Sequence, residues 1–351
     1  MKQNYFVFAI CASGIVGLAS ICKAEEPVMY RMAAADSEHV WMATNHGLAC
    51  YDKQSGEISE IPSDTYNDLL SVAVAGDGTV TVGANLTAGI ADYADGSFSP
   101  VKTGVSGLQN VHSLLYADGL WAGASQMLVH QSEGKWDMIE GPNPFAASYL
   151  VDALAYDATS KRLWFGAAST APDKKLGYID EEGEMTCIDG STMDINGIYV
   201  KESGTAVLAT KVGMLKCEDG VLSPFEHPIS SISPDCKAVT GSGENIWFAG
   251  GTTLVRGEGT SFKSFNCRNA EEPEDYITSL VADGDVLWFT MAYGGLYCLK
   301  DNVIQRPTGI SSVISDIEEG DDALYDLNGC RIQSAAKGQV YICGGKKYIG
   351  K

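Results

Sequence analysis

Seven short apolar strands recur along this chain at nearly constant spacing. They are Val40-Trp41-Met42-Ala43-Thr44, Val80-Thr81-Val82-Gly83-Ala84, Leu120-Trp121-Ala122-Gly123-Ala124, Leu163-Trp164-Phe165-Gly166-Ala167, Ala206-Val207-Leu208-Ala209-Thr210, Ile246-Trp247-Phe248-Ala249-Gly250 and Leu287-Trp288-Phe289-Thr290-Met291. Their second residues fall at 41, 81, 121, 164, 207, 247 and 288, steps of 40 to 43 residues. An apolar strand precedes each one, as in Ser71-Val72-Ala73-Val74 and Ile277-Thr278-Ser279-Leu280-Val281. Turns such as Asp77-Gly78, Asp118-Gly119 and Asp283-Gly284 separate the two, and Asp-Gly suits a hairpin whose central residues both take positive φ. A third strand follows (Gly47-Leu48-Ala49-Cys50-Tyr51, Gly295-Leu296-Tyr297-Cys298-Leu299). Asp95-Gly96, Glu133-Gly134 or Asp219-Gly220 then turns the chain into a fourth.

Four short antiparallel strands per forty residues make the blade of a β-propeller. A helical repeat would space its apolar residues at 3.6, a sandwich would not repeat its sequence, and a β-helix repeats at a shorter period. The pattern therefore predicts an all-β, seven-bladed β-propeller with a small C-terminal β-module. A single blade cannot bury both its faces, so Trp41, Trp121, Trp164, Trp247 and Trp288 are expected in the packing between blades. Blade 1 is expected to start near Val28 and blade 7 to end near Thr308. Either face packing or an added terminal strand closes the ring.

The expected organisation is a signal peptide at 1–24, the propeller at 25–310, an acidic linker at 311–323 and the β-module at 324–351. Lys2 followed by an apolar stretch from Tyr5 to Ile21, with Ala24 before Glu25-Glu26, reads as an export signal. An exported protein in the periplasm, at the cell surface or secreted is implied, with no integral membrane span once the signal is cleaved. Leu324 to Gly329, Lys337 to Ile342 and Gly344 to Tyr348 suggest about three strands, with turns at Asn328-Gly329 and Gly344-Gly345.

With 45 acidic against 24 basic residues the formal charge is −21, which repels phosphate backbones and argues against nucleic-acid binding. Of the ten cysteines none forms a C-x-x-C pair, so zinc is not expected; several occupy related points of successive repeats, as small apolar fillers. A Cys330–Cys343 disulfide is the one specific pairing expected. The five histidines (His39, His46, His112, His130, His227) show no metal spacing, and no hydrolase, metalloprotease, phosphate-loop or dinucleotide motif occurs. No cofactor is implied.

The blades resemble the two-component-regulator propeller family, on Val40-Trp41-Met42-Ala43-Thr44-Asn45-His46-Gly47-Leu48 and on Gly104-Val105-Ser106-Gly107-Leu108-Gln109-Asn110-Val111. The resemblance spans about residues 28 to 308 and implies a sensor-type propeller. Blades 2 and 5 lack the Trp, and residues 169 to 175 lengthen a loop of blade 4. Tyr325-Asp326-Leu327-Asn328-Gly329 and Lys337-Gly338-Gln339-Val340-Tyr341-Ile342 resemble the C-terminal modules of proteins exported by Bacteroidetes through type IX secretion.

Function is expected in the residues that do not repeat. Loops joining strands two and three, and loops joining blades, surround one mouth of a propeller channel. They carry Asn45, His46, Tyr66, Gln126, Tyr149, Lys211, Arg268, Tyr276 and Tyr293 as candidate ligand contacts. Aromatic, amide and basic groups on an acidic protein suit a glycan, peptide or protein ligand held without catalysis. The alternative is a propeller enzyme of the polysaccharide lyase or glycosidase type, using the same mouth through residues drawn from several blades.

Overall fold

The computed structural model describes residues 26–139, 149–168, 173–268 and 274–307, together with the backbone of four short strands between 324 and 349. Seven four-stranded antiparallel sheets follow one another, each with its strands hydrogen-bonded in chain order. Blade 1 is built from Tyr30–Ala35, His39–Thr44, Gly47–Asp52 and Ile58–Ile61. Blade 2 runs from Leu69 to Pro100, blade 3 from Ser113 to Met138 and blade 4 from Leu150 to Cys187. Blade 5 runs from Ile195 to Pro224, blade 6 from Cys236 to Asn266 and blade 7 from Ile277 to Gln305. The first strands of all seven blades line a central channel of about 380 Å³. The protein is a seven-bladed β-propeller.

The turns differ in detail from the sequence expectation. Asp118-Gly119 has positive φ at both residues (48° and 106°), as an Asp-Gly hairpin turn requires. At Asp77-Gly78 and Asp283-Gly284 only the glycine does. The doubly positive pair instead recurs between third and fourth strands, at Asp95-Gly96, Glu133-Gly134 and Asp219-Gly220.

Apolar burial is concentrated at the seams between blades. Trp41 of blade 1 packs with Val72, Val80 and Val82 of blade 2. Trp121 of blade 3 packs with Val151 and Leu163 of blade 4, and Trp164 with Ile195, Ala206 and Cys217 of blade 5. Trp247 lies against the cluster joining blades 6 and 7. Where blade 2 has Thr81 in place of Trp, Ala73 and Ile90 meet Val111 and Leu114 of blade 3. Val207 does the same work in blade 5, against Cys236, Ile246 and Phe248 of blade 6.

The last seam closes the ring in the same way. Trp288 of blade 7 packs with Ala33, Val40 and Met42 of blade 1 and meets Tyr51 at a ring separation of 5.2 Å. Tyr30 N donates to Ala292 O (2.8 Å), Ala33 N to Ser279 Oγ (3.1 Å), and Lys53 pairs with Asp283 (2.7 Å). Among the described residues no terminal strand enters either blade, and face packing, one of the two expected routes, joins blades 7 and 1 there. The closing seam is thus chemically equal to an internal one. Trp288→Ala and Trp41→Ala are each expected to lower unfolding free energy by about 3–5 kcal/mol, in a denaturant titration, because each leaves a cavity in one seam.

Cys50, Cys217, Cys236, Cys267 and Cys298 are buried and Cys187 is half-buried, all as free thiols. Cys50 lies opposite Trp41 and Cys298 opposite Trp288 in the strand ladders, matched points of two repeats. Burial pushes the Cys236 and Cys267 thiols up to about 12 and Cys50 up to about 11. The thiolate is the reactive species. At pH 8 iodoacetamide is expected to spare these three cysteines in the folded chain and to modify all three in urea, as read by peptide mass spectrometry.

Beyond the propeller, Arg331–Ile332, Leu324–Tyr325, Val340–Cys343 and Lys346–Ile349 pair in that order as one antiparallel sheet. It has four strands where about three were expected. The expected signal at 1–24, the linker at 311–323 and the side chains of the Cys330–Cys343 pair lie outside the described residues.

Candidate binding site at the channel mouth

The first strand of a blade enters the channel from the connection with the preceding blade. In six blades it starts with a register shift that leaves one extra residue: Arg31, Leu70, Asp152, Asn196, Lys237 or Thr278. In blade 3 His112 holds the same place, just before the first paired residue Ser113. A bulge bends its strand and re-aims one side chain. The residues just before, such as Leu69, Val111, Val151, Ile195 and Ile277, stay fully buried, whereas the seven bulge-position side chains are half-buried. Arg31, Asp152, Asn196, Lys237 and Thr278 line the channel. One side chain per blade thus forms a ring at the mouth, spaced 39 to 44 residues apart in sequence.

The ring is tied together across blades. Arg31 pairs with Asp68 of blade 2's entry and donates to Leu69 O at 2.8 Å. His112 Nδ1 lies 3.1 Å from Asp152 Oδ1 of blade 4. Asn196 Nδ2 donates to Cys236 O of blade 6 at 2.7 Å, and Lys237 Nζ stands 2.8 Å from Asp235 Oδ2. Thr278 shares a hydroxyl contact with Thr290 at 2.8 Å. Side chains held this way present fixed donors and acceptors, and mixed charge, to whatever enters the mouth.

An outer tier surrounds the ring. Asp194 bridges the ammonium groups of Lys175 and Lys211, each at 2.6 Å. The Asp194 hydrogen bond and charge hold the Lys211 ammonium above its usual pKa, so it stays charged. Asp275, only 4% exposed, accepts from the backbone N–H groups of Tyr276 and Tyr293 (2.9 Å each) through Oδ1, and its Oδ2 has no partner among the described residues. This carboxylate fixes the two tyrosines relative to each other. Burial pushes the Tyr276 hydroxyl pKa up, while the charge of Arg31 opposes the rise.

The nine residues singled out from sequence divide into three groups. Tyr276 and Tyr293 are brought together by Asp275, with Tyr293 exposed. His46, Gln126, Lys211 and Arg268 are exposed on the loops where they were expected, though not gathered in one pocket. Asn45 has its side chain engaged at home, accepting from Met29 N at 2.6 Å and donating to Pro27 O at 3.2 Å. It and His46 border a polar groove of about 430 Å³ with Ser63, Asp64 and Asn67. Tyr66 and Tyr149, at 4% and 5% exposure, lie in the body of the fold instead. Tyr66 packs on Phe98, and Tyr149 donates its hydroxyl to Asp173 O. Aromatic character in a loop did not distinguish a ring that faces ligand from one that anchors the loop.

The bulge ring itself was missed. Counted back from the second-strand column, Arg31, Leu70, His112, Asp152, Asn196, Lys237 and Thr278 stand 9 to 12 residues away, because the first hairpin varies in length, so only the strand pairing brings them to one position. Among the described residues no group of three or more His, Cys, Asp or Glu is placed to hold a metal, and no helix is long and apolar enough to cross a membrane.

Fold and mouth define a seven-bladed propeller with a side-chain ring at one end of its channel. No protein-family model and no curated protein matches the chain. Solved structures do. Virginiamycin B lyase from Staphylococcus aureus is similar at 16% identity and a TM-score of 0.60, over 76% of this chain and 93% of that one. The extracellular domain of the BT4673 one-component system of B. thetaiotaomicron is similar at 15% identity and a TM-score of 0.54, over 77% of this chain and 45% of that one. YCF48, solved bound to D1 peptide, is similar at 13% identity and a TM-score of 0.58, over 77% of this chain and 91% of that one. At such identities the likeness establishes the fold alone.

The Lys175–Asp194–Lys211 bridge separates buried from exposed charge. Asp194→Ala removes the carboxylate from a buried ammonium and is expected to cost about 3 kcal/mol in thermal or denaturant unfolding. Lys211→Ala, which removes a solvent-exposed partner, is expected to cost less than about 1 kcal/mol.

Proposed function

We propose that this chain is an exported binding module that holds a peptide or glycan ligand over the channel mouth without transforming it. The carrying observation is the ring of seven unlike side chains at one structural position. Seven blades fold with the same seam chemistry, so no packing demand accounts for Arg, Leu, His, Asp, Asn, Lys and Thr in one column. Such a column is what recognition of a particular ligand requires. The exposed Tyr293 and half-buried Tyr276 add apolar faces at the rim. A peptide-bound propeller and an extracellular sensor domain among the similar structures support binding in the same manner. Lys2 with its following apolar stretch supports export, and the C-terminal segment is read as its sorting module.

Purified chain lacking residues 1–24 is the material for a test on peptide and glycan arrays. The ligand selected is expected to bind at least tenfold more weakly to Lys237→Ala and to Asn196→Ala, measured by calorimetry. Unchanged affinity in both variants refutes the mouth as the site.

One geometric feature favours a second reading. His112 and Asp152 form a His–carboxylate pair at the rim, an arrangement in which the carboxylate orients the imidazole for proton transfer. A propeller lyase among the similar structures supports this reading. An enzyme predicts product formation from the array-selected ligand that disappears in His112→Gln while ligand affinity stays within threefold. Absence of product from the unmodified chain leaves the non-catalytic reading.

A further inference from the structure

The face opposite the mouth carries the turns between first and second strands and between third and fourth strands. There a tryptophan indole usually donates to its own turn. Trp41 Nε1 donates to Asp36 Oδ2 (2.9 Å), Trp288 Nε1 to Asp283 Oδ2 (3.0 Å) and Trp121 Nε1 to Ala117 O (2.9 Å). In blade 4 the turn is longer. Asp157 stands seven residues before Trp164 and uses its carboxylate on Thr159 N (2.9 Å) and Ser160 Oγ (2.5 Å). Trp164, at 4% exposure, is left with an indole N–H that no group among the described residues accepts. Such a group costs about 1–3 kcal/mol unless something fills the role.

The blade facing Trp164 presents a smaller side chain than the other tryptophan-facing blades, which carry Tyr51, Tyr93, Ile179 and Leu299 at the matching position. Trp288 meets Tyr51 of blade 1 and Trp41 meets Tyr93 of blade 2, at 5.2 and 5.8 Å between ring centres. The matching residue of blade 5 is Cys217, which lies opposite Ala206 as Tyr51 lies opposite Val40 and Tyr93 opposite Val80. With a thiol in place of a phenol, a groove of about 850 Å³ opens between blades 4 and 5, lined by Trp164 and Cys217. Its walls carry Arg162, whose guanidinium covers the Tyr178 ring at 4.5 Å, with Thr205, Glu218 and Asp219.

We propose that this groove is a second binding site, independent of the mouth, that takes a short neutral oligosaccharide. The wall chemistry selects the class. An indole N–H and a guanidinium ask for acceptors, whereas the carboxylate of Asp219 asks for donors, with Asp157 already serving Thr159 and Ser160 and Glu218 serving Lys216 and Thr205. An anion would meet the three carboxylates of Asp157, Glu218 and Asp219, and a cation would meet Arg162 and leave the indole unsatisfied. A polyol supplies donors and acceptors together, and its C–H faces pack on aromatic rings. The volume falls within the range of small-ligand sites, roughly 300–1,000 Å³.

The test uses the chain lacking residues 1–24 on a neutral-oligosaccharide array, followed by calorimetry with the best-bound sugar. Trp164→Phe keeps an aromatic ring and deletes the donor, and is expected to weaken binding about tenfold. Cys217→Tyr restores the side chain that fills this place in blades 1 and 2, and is expected to abolish binding while leaving the melting temperature unchanged or higher. Lys237→Ala at the mouth is expected to leave affinity unchanged, which separates this site from the one above. Should Cys217→Tyr unfold the chain, Trp164→Phe carries the result alone. No bound neutral sugar, binding indifferent to Trp164→Phe, or binding lost in Lys237→Ala each overturns the proposal.

Discussion

Every blade depends on its neighbour. A four-stranded sheet of this length buries little by itself, and the apolar clusters of this propeller sit across the seams rather than within the blades. The tryptophans of the second strands supply the bulk for five of these seams, with smaller β-branched residues serving where Thr81 and Val207 interrupt the series. Stability is therefore distributed around the ring. The final seam, Trp288 on Tyr51 and Val40, has to match the others because, among the described residues, no shared strand reinforces it.

That distribution separates structural from functional positions. The second strand is buried on both faces and tolerates little variation in volume. The bulge-position residue of the first strand is released from the seam, since the extra residue turns it towards the channel while its predecessor stays buried. The result is one chemically free position per blade, held in rigid register by the sheet behind it. Cross-blade contacts such as His112 to Asp152 and Asn196 to Cys236 O then fix the side chains themselves.

Much of this architecture was legible in the sequence because burial repeats. Seam tryptophans, Asp-Gly turns and apolar third strands recur near every fortieth residue, and periodicity reports them directly. The bulge ring was harder to see, because its column has no common chemistry; only the seam on either side gives it a register. Loop residues were the least legible. Tyr66 and Tyr276 both look like rim aromatics in the sequence, yet Tyr66 is drawn onto Phe98 while Tyr276 stays half-exposed beside the Asp275 carboxylate. Which way such a ring turns depends on contacts from other strands. Closure was likewise open to two solutions until the strand order of blades 1 and 7 was known.

Departures from the repeat carry more information than the repeat. A missing tryptophan in blade 2 is compensated by Ile90 and Val111, so the seam stays closed and nothing more need be inferred. Between blades 4 and 5 two departures coincide without compensation: a lengthened turn withdraws the usual acceptor from Trp164, and Cys217 stands where the other tryptophan-facing blades carry the larger Tyr51, Tyr93, Ile179 or Leu299. Either change alone would be a packing variation. Together they leave an unmet donor and a polar groove at one spot in a ring whose other tryptophans with resolved indole contacts are satisfied by their own turns. A defect of that kind persists in a marginally stable fold only where it is tolerated or used, and the polar walls around it favour use.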